Sequence, residues 1–274
     1  MKKERVDVLL VERGLMETRE KAKRAVMAGL VFSNETRLDK PGEKIAADAP
    51  LIVKGDPLPY VSRGGLKLEK ALKVFGLDVK DKIVLDIGAS TGGFTDCALQ
   101  HGAKMSYALD VGYNQLAWKL RQDGRVVVME RTNFRYVTPQ DFTKGIPEFA
   151  SIDVSFISLS LILPVLKTLL APLSDVVALI KPQFEAGREQ VGKKGIVKDK
   201  NVHREVIEKI IQLALRENFS VENLSFSPIT GGEGNIEFLI HLVKPASETE
   251  GGANRLRVTV NDVVEEAHAT LRKG

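Results

Sequence analysis

The feature that most limits what this chain can fold into is an alternation running through its last two thirds. Short apolar runs at residues 83–87, 106–111, 126–130, 151–154 and 176–180 alternate with segments expected to be helical, and a longer helical pattern covers 201–218. Near-continuous apolar runs of this length suit strands buried on both faces. Strands that alternate with helices wind into a doubly wound, Rossmann-like α/β sheet. Two more strand-like runs, 221–227 and 236–243, are joined only by the loop 228–235. That loop is too short for a crossover, so an antiparallel pair is predicted at one edge of the sheet.

The first of these strands leads into Lys-Ile-Val-Leu-Asp86-Ile-Gly88-Ala89-Ser90-Thr-Gly92-Gly93-Phe94-Thr, a strand, a glycine-rich turn and a helix start. Small residues let a backbone approach a ligand, and a helix N-terminus offers unpaired N–H groups. Asp110, ending the next strand, stands where an acid hydrogen-bonds ribose hydroxyls. The combination points to a nucleoside-bearing cofactor. A dinucleotide fingerprint asks for glycine where Ser90 stands, and Asp86 would gain nothing beside a pyrophosphate. A sulfonium cofactor, S-adenosyl-L-methionine, complements Asp86 by charge. A turn-capping Asp86 and a dinucleotide enzyme remain the alternatives.

Four polar residues stand where a core would prefer none. Asp153 and Lys181 end their strands, at the edge where ligand sites of α/β sheets lie. Glu237 interrupts an apolar strand in which Ile236, Phe238 and Ile240 share the opposite face, and Lys67 lies on a helix starting near Ser62, beside its apolar stripe. Singly, these read as a surface lysine, an edge-strand glutamate and a structural ion pair. Together they make a site of two lysines and two carboxylates. A ribose hydroxyl must lose its proton as a methyl group arrives, and a lysine accepts it only when burial and a second cation lower its pKa. Lys181 is assigned as that base, oriented by Asp153 and Glu237, with Lys67 fixing the ribose. No metal is required.

The first sixty residues follow another pattern. Val6, Leu9 and Leu10 fall at helical spacing before Gly14, and a second helix is predicted from Thr18 to near Gly29, burying Ala22, Ala25 and Val26. A short strand at 30–32 and turn-rich segments complete a small α+β module. Its second helix carries Arg19, Lys21, Lys23 and Arg24 against Glu20, a density of cations that reads as a phosphate-facing surface or, equally, as a solvated helix face. The expected domains are 1–54, a Pro- and Gly-containing linker 55–61, a catalytic domain 62–245 and a polar, weakly helical tail 246–274 of unassigned role. The 187–200 segment, rich in Arg and Lys, reads as an RNA-contacting lid or a solvated loop.

One cysteine, Cys97, excludes an internal disulfide and any multi-cysteine metal site. With no secretory pattern and no span-length apolar stretch, a cytoplasmic location without membrane insertion is expected. His101, His203, His241 and His268 are scattered in sequence and read as structural.

With these residues in place, the chain resembles the TlyA family, whose members carry hemolysin or rRNA methyltransferase names and whose catalytic domain is similar to FtsJ-like RNA 2'-O-methyltransferases. The motifs are Ser62-Arg-Gly-Gly-Leu-Lys67, the Asp86 turn, Asp153-Val-Ser-Phe-Ile-Ser, Leu179-Ile-Lys181-Pro-Gln-Phe-Glu and Gly234-Asn-Ile-Glu237. The family's Lys-Asp-Lys-Glu set falls on Lys67, Asp153, Lys181 and Glu237. Residues 5–15, 18–26 and 29–31 resemble the RNA-binding domain of the ribosomal protein S-four family. The resemblance implies methylation of cytidine 2'-hydroxyls in ribosomal RNA, on ribosomal subunits or their precursors; no obligate protein partner is evident in the sequence. It also implies a cofactor-side role for Thr132 and Asn133, near the adenine, and RNA contacts at Arg5, Arg19, Lys23, Arg24 and Arg63. A membrane-acting toxin is the reading of a different class, and no amphipathic cationic helix supports it.

Overall fold

The computed structural model describes residues 3–55, 58–247 and 249–272. The chain separates into two compact units, Met1–Pro59 and Tyr60–Gly274.

In the first unit, β1 (Lys3–Arg5) leads into α1 (Val6–Glu12) and α2 (Arg19–Met27), followed by β2 (Val31–Ser33), β3 (Thr36–Arg37), β4 (Lys44–Ala46) and β5 (Ile52–Val53). Thr18 caps α2 by accepting from the Lys21 N–H at 3.2 Å, and Gly14, with φ 68°, ends the first helical turn region as the sequence implies. Val6, Leu10, Ala22, Ala25, Val26 and Val31 are fully buried and form the core. Two pairings were not legible in the sequence: β1 with β4, and β5 with β2. These strands are two or three residues long and carry too little periodicity to announce themselves.

The second unit runs α3 (Gly64–Phe75), β6 (Ile83–Ile87), α4 (Gly93–Gln100), β7 (Met105–Leu109), α5 (Trp118–Arg121), β8 (Val126–Met129), β9 (Phe149–Ile152), α6 (Leu163–Leu169), β10 (Asp175–Ile180), α7 (Pro182–Glu185), α8 (Lys200–Arg216), β11 (Ser220–Phe226), β12 (Phe238–Val243) and α9 (Val260–Leu271). The seven-stranded sheet has the order β11-β12-β10-β9-β6-β7-β8. β8, β7, β6, β9 and β10 run parallel, and β12 is antiparallel to both neighbours. The antiparallel strand therefore lies one place in from the edge, and β11 takes the edge itself.

One face of the sheet packs on an apolar layer that includes Leu68, Leu72, Phe94 and Leu120 from α3, α4 and α5. The other packs on Leu163, Leu166, Ile207, Ile210 and Val264 from α6, α8 and α9. The expectation of a helix between every pair of the first five strands fails in one place. Between β8 and β9 the chain makes only two 3-10 turns, Phe134–Tyr136 and Pro139–Asp141, and buries Phe134, Val137 and Phe142. Three anchors around Pro139 do not make an amphipathic stripe. The tail contains a capped helix, α9, with Thr259 accepting from the Asp262 N–H at 3.1 Å.

Candidate active site

The carboxyl ends of β6, β7, β9 and β10 open on one edge of the sheet, as expected for ligand sites in wound α/β folds. β12 contributes its opposite end there, because antiparallel register places Phe238 across from Ile180. Glu237, the residue before β12, is thereby brought to the same edge as Lys181, the residue after β10. Glu237 sits just outside the strand, yet Ile236, Phe238 and Ile240 do share one apolar layer while Leu239 faces the other.

Lys67 completes the group from α3. Its Nζ donates to Glu237 Oε2 at 2.7 Å and to Asp153 Oδ2 at 3.3 Å, while Lys181 Nζ lies 2.5 Å from Asp153 Oδ1 and donates to Ser155 Oγ at 3.2 Å. Lys67 and Lys181 are each 8% exposed and Glu237 is 2% exposed, so the pairs are largely out of water. Burial works to lower the Lys67 pKa, but the Asp153 and Glu237 carboxylates outweigh it and hold the ammonium above its ordinary value. Burial likewise works to raise Asp153, and the two lysines reverse this and hold its carboxyl low. Lys67 is thus a fixed cation and Asp153 a fixed anion shared by two lysines.

These four residues line a cleft of about 650 Å³ together with Arg63, Phe156, Gln183, Phe184 and Lys194. A second cavity of about 340 Å³ lies beside it, with Gly88, Ser90, Asp153, Ser155 and Phe156 common to both, and Asp110, Gln115 and Asn133 farther in. Its floor is the β6–α4 turn. Gly88 has φ 85°, and a Cβ there would stand 2.5 Å from the Asp153 carbonyl oxygen, so only glycine lets the two strand ends approach. Ser90 takes φ 48°, and its N–H donates to Asp110 Oδ2 at 2.7 Å while the Gly112 N–H reaches Asp110 Oδ1 at 2.7 Å. Two backbone donors hold the Asp110 carboxylate at the cavity wall.

Three expected cofactor residues are placed otherwise. Asp86 is fully buried and lines neither cavity; it accepts from the Thr95 N–H at 3.0 Å, Thr95 Oγ1 at 2.7 Å and Ser151 Oγ at 3.2 Å. It caps α4 from within the sheet, and burial pushes its carboxyl up to about 7 against those hydrogen bonds. Gly92, with φ 96°, makes room for the Leu116 and Leu120 side chains. The Thr132 hydroxyl donates to the Glu130 carbonyl at 3.1 Å. Ala89, Gly93 and Phe94 line the larger cleft.

In the first unit, the Arg5 guanidinium holds the buried Asp7 carboxyl down at about 2, making paired bonds of 2.9 and 3.0 Å, and Arg19 adds a third at 2.9 Å. Lys21 pairs with Glu17, and Lys23 donates to Glu20 at 2.8 Å. Part of the counter-charge for the α2 cations is therefore internal. Two of the histidines, 65 residues apart in sequence, meet in the fold: His203 and His268 are 3.0 Å apart.

Comparison with known proteins fits this geometry. Residues 60–244 match the model of the FtsJ-like methyltransferase family and residues 4–49 that of the S4 domain. The chain is 41% identical over 87% of its length to a Mycobacterium tuberculosis protein named "16S/23S rRNA (cytidine-2'-O)-methyltransferase TlyA", covering 89% of that protein. The chain belongs to the TlyA family of FtsJ-like methyltransferases. It is also 72% identical to Bacillus subtilis "Putative rRNA methyltransferase YqxC", over 99% of this chain and 96% of that one. A solved structure titled "Putative hemolysin from Streptococcus thermophilus" superposes with TM-score 0.79 at 59% identity, covering 100% of this chain and 98% of that one.

Family membership makes the chain an RNA 2'-O-methyltransferase of the FtsJ-like, S-adenosylmethionine-dependent class, with an S4 domain ahead of its catalytic domain. Among the described residues no helix is long and apolar enough to cross a membrane. Sequence reasoning missed Ser155, Gln115, Gln183 and Asn235. Ser155, Gln183 and Asn235 were within reach, each two residues from Asp153, Lys181 or Glu237 in a motif already singled out; Gln115 carries no local signal.

Proposed function

We propose that this chain methylates the 2'-hydroxyl of a cytidine in ribosomal RNA, on ribosomal subunits or their precursors in the cytoplasm, with Lys67, Asp153, Lys181 and Glu237 as the catalytic set. The observation that carries the reading is the convergence of these four side chains, from α3 and the ends of β9, β10 and β12, in the larger cleft, with Asp153 also lining the smaller cavity beside it.

The smaller cavity fits a nucleoside with a charged tail. The Asp110 carboxylate supplies acceptors for ribose hydroxyls, Asn133 an amide, and the Gly88 turn a close backbone approach. Bound there, S-adenosyl-L-methionine supplies an electrophilic methyl group. The larger cleft takes the target nucleotide. Lys181 Nζ accepts the 2'-hydroxyl proton as the C–O bond forms, and Asp153 stabilises the ammonium produced, with Ser155 Oγ fixing the direction of the head group. Lys67, held cationic by Asp153 and Glu237, presents a donor to the ribose oxygens and to negative charge developing on the attacking oxygen. The remaining acceleration comes from holding the reacting atoms in line.

The S4 unit supplies affinity through Lys23 and Arg24 on α2, with Arg5 and Arg19 divided between Asp7 and phosphate. Arg63 lies at the mouth of the catalytic cleft and meets the RNA there.

The decisive test is transfer of tritiated methyl groups to isolated ribosomal subunits with mapping of the modified ribose. Lys181→Ala is expected to abolish transfer while RNA binding persists. Near-normal turnover in that variant removes Lys181 as the base, and label on a nucleobase removes the ribose assignment.

A further inference from the structure

The tail and the 187–200 segment are tied to each other and to the catalytic cleft. Residues 192–196 form a tight hairpin: the Gly192 N–H donates to the Ile196 carbonyl at 3.0 Å, and Lys194 and Gly195 both take φ 70°. Lys194 holds the left-handed conformation without being glycine, which persists only where the surroundings over-determine it. Lys194 and Gly195 line the cleft that holds the two lysines and two carboxylates.

Two sets of bonds hold this hairpin. On the cleft side, the Asn235 amide donates to the Gly195 carbonyl at 2.9 Å and accepts from the Val197 N–H at 3.0 Å, two residues before Glu237. On the far side, His203 Nε2 bonds the Val197 carbonyl at 3.1 Å, and His203 Nδ1 in turn bonds His268 Nε2 on α9 at 3.0 Å. This fixes the proton pattern, His268 donating to His203 and His203 to Val197. Arg272, just past α9, donates to the Lys198 carbonyl at 2.9 Å. Val197, His203 and Val264 are fully buried, so the junction is packed as well as hydrogen-bonded.

We infer that the C-terminal helix α9 is a clamp that sets the 192–196 hairpin as one wall of the methyl-transfer cleft, with His268 and Arg272 as positioning residues acting through Val197 and Lys198. Neither touches the cleft, so their effect falls on the RNA side of the reaction, through the placement of Lys194 and Gly195. The cofactor cavity is lined by other residues.

The inference rests on the methylation reading for its kinetic arm and not for its structural one. The full chain is compared with His268→Leu, which keeps packing and removes the donor to His203, and with His268→Gln, whose amide restores a donor. Limited trypsin digestion followed by mass spectrometry reads cleavage after Lys193 and Lys194, both exposed on the hairpin. His268→Leu is expected to be cut there about fivefold faster, as for loss of one buried hydrogen bond holding a local opening. Its kcat/KM for ribosomal RNA should fall by a similar factor while Kd for S-adenosyl-L-methionine stays unchanged, and His268→Gln should restore both. Wild-type cleavage in His268→Leu overturns the clamp. So does an equal loss of cofactor affinity and thermal stability that His268→Gln fails to rescue. Altered cleavage in a chain that methylates no RNA even as wild type would instead sink the methylation reading and leave the clamp standing.

Discussion

Lys67→Met tests the electrostatic core of the site, because a methionine keeps an unbranched apolar stem and removes the ammonium, with its charge and its donors. In the native structure Lys67 Nζ is 2.7 Å from Glu237 Oε2, and Glu237 is 2% exposed. At that separation and an effective dielectric of about 20, the attraction is about 6 kcal/mol before either group's desolvation is counted. Removing the cation leaves a carboxylate buried without its partner, and breaking a buried pair in this way costs about 3–5 kcal/mol net. Asp153 is less affected, since Lys181 still pairs with it at 2.5 Å. Urea unfolding of the full chain should therefore place Lys67→Met about 3–5 kcal/mol below wild type. The double variant Lys67→Met/Glu237→Gln, which removes both charges, should recover most of that loss. Methyl transfer should not recover, staying down by at least about 100-fold for lack of the ribose-positioning cation. A single-variant cost below about 1 kcal/mol, the range of an exposed pair, would refute the buried pair. Recovered turnover in the double variant would refute the catalytic role of Lys67.

The His203–His268 pair gives the unfolding profile an acid limb. Burial first, then the neighbouring His268 for His203 and Arg272 for His268, hold both imidazoles down at about 4. Their folded pKa values are depressed, so the stabilisation is whole above about 6.5 and drains as pH falls toward 4, with His203 supplying on the order of 3 kcal/mol. Asp86, raised to about 7, acts in the opposite sense over the same window. The difference in urea midpoint between wild type and His203→Gln/His268→Gln, followed from pH 7.5 to 4.5, therefore isolates the pair, and a pH-independent difference contradicts it. Gly88→Ala forces a Cβ to 2.5 Å from the Asp153 carbonyl at φ 85°. It should cost at least about 2 kcal/mol and weaken S-adenosyl-L-methionine binding more than about tenfold by calorimetry. In the S4 unit, Lys23→Gln/Arg24→Gln should reduce the slope of log Kd for RNA against log salt by about one to two, without unfolding the unit. Arg19→Gln should also loosen it, because Arg19 bonds the buried Asp7.

The sequence by itself determined the wound sheet. Each strand is a continuous apolar run because both faces are covered by helices, and a short loop between the last two runs left antiparallel pairing as the only option. It also made Lys67, Asp153, Lys181 and Glu237 conspicuous, since a charge beside or within an apolar run needs a partner, and the nearest candidates were one another. What the sequence left undecided was direction and reach. Asp86 and Asp110 look alike as acids ending strands. The fold turns one inward, where three donors take it up, and leaves the other at the cavity wall. Glu237 reaches Lys67 across 170 positions only because β12 enters the sheet reversed, one place in from the edge. The tail helix and the cationic loop carried no signal of belonging together; the contacts joining them span 65 to 75 residues. Local pattern records what must be buried, whereas which buried groups meet is fixed by strand order and helix packing, and these belong to the chain as a whole.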